Sequence, residues 1–376
     1  MKPLLSIVVP TKDRYVYLRS LVRLIDSFKS NDIELVLQDN TKDNSSILEF
    51  LKNYSNIVYN HTPKQITVTQ NSDDAVNNSH GKYVCFIGDD DGVTKHILRC
   101  VMLMEEKNID VVVPSDLSYF WPSYISKSTG NISGTLSYKP YDFSLKKTGI
   151  NKVLKEILYK GFVDRGRLPL LYHGIVKRSV LDNIYAQIGT YFPGQSPDIA
   201  NGVALCFTAK SYYRINAPII ISGASAMHGG GIRKMKRGYA EIDNLPFLSS
   251  DAKAKWEKKL PKIWCGQTVW CESAVKALRC MGHKEMVKDV NFEYLYASMA
   301  SSNISLYSFA YSYTTNKFKF VTKTFFMFTQ RVYNAILRFL LRKMGFEYPI
   351  NLKRIHSINN IEEVNAFIMD RYPNWN

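Results

Sequence analysis

The sequence predicts an α/β protein built on a largely parallel central sheet with helices on both faces. Two observations carry this: short apolar runs alternate with helical patterns through the first third of the chain, and polar, acid-bearing turns follow the apolar runs. Leu4–Val9 reads as a buried strand, and after Pro10 a helical pattern sets Leu18, Leu21, Val22, Ile25 and Phe28 on one face. Ile33–Gln38 reads as the second strand, followed by the polar turn DNTKDNSS and a short helix through Phe50 and Leu51. Residues 56–60 (NIVYN) form the third. A polar helix is expected over about 68–80, ended by Gly81, with KYVCFI (82–87) as the fourth strand. A helix over about 94–107 and DVVVP (110–114) complete the pattern. In such sheets ligands sit beyond the carboxyl ends of the strands. Thr11, Asp13, Asp39 and Asp89–Asp91 all fall there, so one rim is expected to gather them.

Residues 115–150, rich in Ser, Tyr, Gly and Thr, read as irregular or antiparallel structure. A helix over about 148–160 leads to LLYHGIVKRSVL (170–181), a strand entering a helix. Residues 191–210 read as a loop and a helix with Pro197 near its first turn, and 212–225 supply further strand. Beyond MHGGGIRKMKRG (227–238) the chain turns helical and basic. The expected division is one α/β domain over 1–228, in two halves (1–113 and 114–228), and a helical basic region over 229–376.

The 376 residues are 45% hydrophobic and 22% charged, a globular balance with ample core. The start does not read as a signal peptide, and no segment approaches the roughly 20 uninterrupted apolar residues of a spanning helix. The six cysteines form no CxxC pair and read as reduced thiols, so a cytoplasmic location is expected. The net charge of +16 suggests a polyanionic neighbour. It is regional: Tyr294–Phe346 contains no acid, while Lys317, Lys319, Lys323, Arg331, Arg338, Arg342 and Lys343 are basic.

The sharpest motif is YVCFIGDDDG (83–92), where an apolar run ends in three adjacent aspartates. Like charges this close need water, a retained proton or a cation between them. Carboxylate oxygens suit Mg²⁺ or Mn²⁺, usually shared with substrate phosphates. The chain has no GxxxxGK[ST] loop and no GxGxxG after its first strand, which argues against a P-loop NTPase and a dinucleotide-binding dehydrogenase.

SIVVPTKDR, DNTKD, NSDDAVNNSHGKYVCFIGDDDG and the later SPD, in this order, resemble the family 2 glycosyltransferases, most closely the abequosyltransferase-like members of bacterial surface-polysaccharide synthesis. The resemblance covers about residues 4–225. It implies a GT-A catalytic domain over 1–228, with a nucleotide-binding half (1–113) and an acceptor-side half (114–228), an inverting reaction and a nucleotide-diphosphate sugar donor. Pro10, Thr11, Asp13 and Arg14 would line the nucleotide pocket, and Asp39 would contact the base, although Gln38 stands where the family has an acid. Asn71 and the neighbouring Asp73 or Asp74 would reach the nucleotide, helix N-terminal roles being the alternative for the two acids. The triplet would be the DXD motif, in either of two registers. Asp90 is the metal ligand in the family's common form, while Asp91 binds the metal and Asp89 faces the ribose if the motif is Asp89-x-Asp91. Asp91 is favoured, with Asp90 next.

Inversion needs a general base opposite the leaving diphosphate. Asp198 in GQSPDIA matches the family's acid, the alternative being a helix-dipole role, and Asp164 is held in reserve. His228 is a candidate for metal or diphosphate, with Arg233 and Lys234 as phosphate partners, while His173 reads as structural. Phe325, Phe328, Val332, Ile336, Phe339 and Leu340 share one helical face opposite Arg331, Arg338 and Arg342. That stripe is either core packing or an interfacial helix on an anionic inner leaflet. The resemblance implies a glycan acceptor, lipid-linked or growing, and no nucleic-acid partner. Two rival readings stand beside it: a sugar nucleotidyltransferase, whose Gly-rich first loop is missing from PTKDR, and a non-catalytic basic protein that binds membrane or nucleic acid.

Overall fold

Two β-sheets organise the chain in a computed structural model that describes residues 2–115, 117–125, 132–226, 238–245, 248, 250–346, 351–373 and 375. Strands and helices alternate at first: β1 (Leu5–Thr11), α1 (Tyr15–Ser27), β2 (Ile33–Asp39), α2 (Ser45–Leu51), β3 (Ile57–His61), α3 (Val68–Asn77) and β4 (Tyr83–Phe86). There follow β5 (Gly92–Val93), α4 (His96–Glu106), β6 (Val111–Pro114), β7 (Leu117–Phe120), β8 (Thr135–Tyr138), β9 (Leu145–Lys147) and α5 (Ile150–Tyr159). β10 (Ile175–Lys177), α6 (Arg178–Ile188), α7 (Pro197–Thr208), β11 (Tyr212–Ile215) and β12 (Ile220–Ala224) complete the part that builds the sheets' centres. Beyond it lie β13 (Ala240–Glu241), α8 (Ser250–Ala254), β14 (Ile263–Trp264), α9 (Gly266–Cys280), α10 (Phe292–Ser302), α11 (Tyr307–Tyr313), α12 (Lys317–Lys343), β15 (Lys353–Ile355) and α13 (Ile361–Arg371).

The larger sheet runs β3–β2–β1–β4–β10–β6–β11–β9. β1 pairs in parallel with β2 and β4, and β6 with β11, while β10 runs antiparallel between β4 and β6. Successive strand residues face opposite sides, so the sheet feeds two cores. Val8, Val36, Val84 and Val176 join α5, α6, α7, α9 and α10 on one side. Ile7, Leu35, Cys85 and Ile175 join α1 and α4 on the other. Apolar side chains on both faces are the reason these strands read as unbroken hydrophobic runs.

The second sheet runs β15–β8–β7–β12–β5. Residues 115–150, expected to be irregular or antiparallel, form the β7–β8 hairpin and β9, and β12 adds to β7 in parallel. The far end of the chain returns here. β15 pairs with β8, and α13 buries Ile361, Val364 and Ile368 in the α1 core, with Arg23 and Glu362 3.0 Å apart.

One expectation needs correction, and one open alternative narrows. α3 ends at Asn77, before Gly81, because the following turn is drawn onto the sheet: Gly81 N–H donates to Ser6 Oγ at 2.7 Å. The aromatic stripe of α12 is not core. Only Phe320 and Thr324 of that helix are buried, and Phe325 is 69% exposed. All six cysteines are free thiols, five of them buried. No helix among the described residues is long and apolar enough to cross a membrane.

Candidate active site

Just past β4 the backbone turns sharply, with Asp91 N–H donating to Gly88 O and Gly88 N–H to Asp91 Oδ2 at 2.8 Å. The Asp91 carboxylate is buried and also accepts from Gly223 N–H (2.8 Å), the Tyr172 hydroxyl (3.0 Å) and His173 Nε2 (2.7 Å). Burial opposes its charge, but His173 and the two backbone donors outweigh it and hold the carboxyl below the usual range. The second sheet clamps the same turn from behind. Trp121 Nε1 donates to the Asp90 carbonyl at 2.7 Å, and a Cβ on residue 223 of β12 would lie 1.7 Å from that oxygen. Only glycine allows this approach.

Asp89 is buried under the end of β1, where Thr11 Oγ1 donates to it at 2.6 Å. Arg14, one residue before α1, contributes Nε at 3.1 Å and Nη2 at 2.7 Å. Burial pushes the Asp89 carboxyl up to about 7 against the pull of Arg14. Asp90, also buried, accepts from Ser225 Oγ at 2.7 Å and lies 3.6 Å from Arg14 Nη1. One guanidinium thus faces two of the three carboxylates.

A cleft of about 1070 Å³ is bounded by this rim. Pro10, Thr11, Lys12 and Arg14 line it from the end of β1, Asn40 from the end of β2, and Gly88 and Tyr172 from the triplet side. One wall is the stretch from Thr62 to Ser72, which includes Lys64 and Asn71. The buried Oδ1 of Asn71 has no hydrogen-bond partner among the described residues. Asp198 stands at the start of α7, where Pro197 occupies the first helical turn and Ser196 Oγ donates to Asp198 Oδ1 at 2.5 Å. The sheet rim and the α7 N-terminus therefore share one cavity.

Of the residues singled out in the sequence, Pro10, Thr11, Arg14, Asn71 and Asp198 line the cleft, and Asp89, Asp90 and Asp91 are packed behind it. Others do not join them. Asp13 is exposed at a φ of 58° and lies outside the lining. Asp39 is buried and fully engaged by the Tyr15 and Tyr59 hydroxyls (2.6 and 2.8 Å) and Thr41 N–H, so its neighbour Asn40 lines the cleft instead. Asp73 ties α3 to the loop before α7 through Thr190 Oγ1 and Tyr191 N–H. Asp164 is exposed and closes a local turn onto Gly166 N–H, away from the cleft. His228, Arg233 and Lys234 lie outside the described residues. His173, expected to be structural, contacts Asp91 directly, and Tyr172, Trp121 and Ser225 were not anticipated.

Among the described residues no group of three His, Cys, Asp or Glu side chains is arranged to hold a cation alone. The donor set still suits a hard divalent cation shared with a ligand's oxygens. Gly88 lines the cleft, and a Cβ there would sit 3.3 Å from Asp90 Oδ1 and 3.1 Å from Asp91 Oδ2. Glycine avoids crowding these carboxylates, which are themselves buried.

Residues 6–160 match the family model Glycosyl transferase family 2. That match covers less than half of the chain; it supports a glycosyltransferase, on a mixed α/β fold whose central sheet is flanked by helices. Among solved structures, S. aureus TarS 1–349 in complex with UDP-GlcNAc is similar at 14% identity, with 89% of this chain and 92% of that one covered and a TM-score of 0.48. The same fragment in complex with UDP gives a TM-score of 0.46 at the same identity and coverage. A further S. aureus TarS structure matches 60% of this chain at 14% identity and a TM-score of 0.43, and the chain spans only 37% of its length. No curated protein matches the chain.

Proposed function

We propose that the protein is an inverting, metal-dependent transferase that moves a sugar from a nucleotide-diphosphate donor to a hydroxyl of a lipid-linked or growing bacterial surface glycan. The single observation that supports this best is the shared cleft: Arg14, paired with the buried acidic triplet behind it, lines one side, and a helix-start carboxylate the other. The resemblance of GKYVCFIGDDD to abequosyltransferase-like sequences supports an acceptor in O-antigen, capsule or lipooligosaccharide synthesis, reached from the cytoplasmic side of the membrane.

In this reading Pro10, Thr11, Lys12 and Arg14 hold the nucleotide end of the donor, and Asn71 adds a polar contact from the opposite wall. Asp91 is the first choice for the metal from the sequence and Asp90 the second; we take Asp90, the ligand in the family's common form of the motif, as the residue that would ligate Mn²⁺ or Mg²⁺, with Asp91 accepting four hydrogen bonds from its own protein. The bound cation would supply positive charge against the donor's diphosphate. Asp198 takes the proton of the acceptor hydroxyl as that oxygen bonds to the anomeric carbon. The sugar–phosphate bond breaks on the opposite face, and its electron pair leaves with the nucleoside diphosphate. Ser196, by its hydrogen bond, fixes the rotamer of Asp198 and leaves Oδ2 to receive the proton. Asp198→Asn is expected to lower transfer by at least a hundredfold, the scale of a lost general base, with nucleotide binding retained. Near-normal turnover of that variant would remove Asp198 from the role.

A further inference from the structure

We infer that α12 is a docking helix for an anionic lipid surface, lying in the plane of the headgroups rather than crossing them. This names a partner for the proposed transferase but rests on surface observations that are independent of its chemistry. The helix has 27 residues, a length of about 40 Å at 1.5 Å per residue. Its first turns are held on α10, yet only Phe320 and Thr324 are buried. Beyond them Phe325, Phe328, Ile336 and Phe339 are each more than half exposed and fall on one helical face with Val332. Surface apolar residues scattered singly are ordinary, but a contiguous aromatic stripe of this length needs a cover.

Charge decides which cover fits. From Tyr294 to Phe346 there is no acid, and α12 itself carries seven bases. A second copy packed helix to helix would bring the same seven positive charges alongside, whereas anionic lipid neutralises them. Arg331, Arg338 and Arg342 flank the stripe, roughly 80–120° round the helix from its centre, the arrangement of a helix whose apolar side dips into the acyl boundary while cationic ends reach phosphates. The same bases interrupt the apolar sequence and keep the helix from spanning.

The test is sedimentation of the full-length protein with vesicles of phosphatidylglycerol and phosphatidylcholine, compared with phosphatidylcholine alone. The wild type is expected to sediment with the anionic vesicles and to be released by salt. Arg331→Gln/Arg342→Gln/Lys343→Gln is expected to weaken association on the order of a hundredfold, from roughly fivefold per basic residue near the surface. Phe325→Gln/Phe328→Gln/Ile336→Gln/Phe339→Gln is expected to abolish it, and exposed positions make folding of that variant straightforward. Nucleotide-diphosphate thermal shifts should be unchanged in both, so a failed transferase reading shows itself separately, as absent nucleotide binding in the wild type. No association with anionic vesicles, or equal association with neutral ones, overturns the inference. So does a wild-type dimer that becomes monomeric in the Phe325/Phe328/Ile336/Phe339 variant, because the stripe would then be covered by a second copy.

Discussion

Replacing Asp91 by Asn separates the scaffold of the acidic triplet from its ligand chemistry. The Asp91 carboxylate is buried and accepts four hydrogen bonds, from two backbone N–H groups, a tyrosine and a histidine. An amide keeps one acceptor oxygen and turns its own N–H groups toward existing donors. Removing one side of a buried charge-assisted cluster costs about 3–5 kcal/mol. Against a total stability of roughly 5–15 kcal/mol this is a large fraction. In urea, at a slope of roughly 2–3 kcal/mol/M, the unfolding midpoint should fall by about 1–2 M. Asp90→Asn alters a different set of contacts: its carboxylate accepts from the Ser225 hydroxyl at 2.7 Å and lies 3.6 Å from Arg14. That variant is expected to lose Mn²⁺-dependent nucleotide binding. Urea denaturation of both variants at neutral pH, followed by tryptophan fluorescence, makes the comparison. An Asp91→Asn midpoint equal to the wild type's, or Mn²⁺-dependent nucleotide binding retained in Asp90→Asn, would refute the assignment of scaffold to one and ligand contact to the other.

Three further outcomes are expected. Gly223→Ala would force a Cβ against the Asp90 carbonyl, so it should lower the melting temperature and displace both Asp90 and Asp91; nucleotide binding that survives unchanged would show the clamp to be dispensable. Asn71→Ala should weaken nucleoside-diphosphate binding about tenfold in calorimetry, the worth of one good polar contact, with its melting temperature close to the wild type's. Glu272 of α9 is buried with Oε2 unpartnered among the described residues, and burial, only partly offset by Lys276 and Arg279, pushes its carboxyl up to about 7. A raised carboxyl binds its proton more tightly when folded, so stability falls as pH rises between the unfolded value and about 7. Glu272→Gln should flatten that decline by up to about 1.4 kcal/mol per pH unit, measured by urea unfolding across pH 5 to 7.5; an unchanged slope would place the titration elsewhere.

The central strands and the acidic rim were legible because they are local. A strand buried on both faces is an apolar run, and the carboxyl end of such a run is where ligands gather, so β1, β2, β4 and Asp89–Asp91 could be read from the sequence. Asp198 was legible through its Pro-Asp start to a helix. Pairings across long separations were not. His173 and Tyr172 reach Asp91 only because the strand they precede, β10, turns back antiparallel to β4, and no local pattern announces that reversal. The base-contact role for Asp39 comes from the resemblance of its turn to the family's, which says nothing of its neighbours in space. What consumes it, the hydroxyls of Tyr15 and Tyr59, comes from two separate elements. Likewise the amphipathic pattern of α12 announces an apolar face but not whether another helix covers it. Periodicity shows which side chains seek burial; tertiary structure decides which of them obtain it.

Titration calorimetry with UDP, GDP and CDP, each in Mn²⁺ and in EDTA, tests the central claim most directly. On the present account at least one nucleoside diphosphate binds the wild type in Mn²⁺, binding weakens sharply in EDTA, and Asp90→Asn loses the metal-dependent part while remaining folded. If none of the three binds, or if binding is the same with EDTA and in Asp90→Asn, the cleft between the triplet and Asp198 is not a metal-dependent site for a nucleotide-sugar donor.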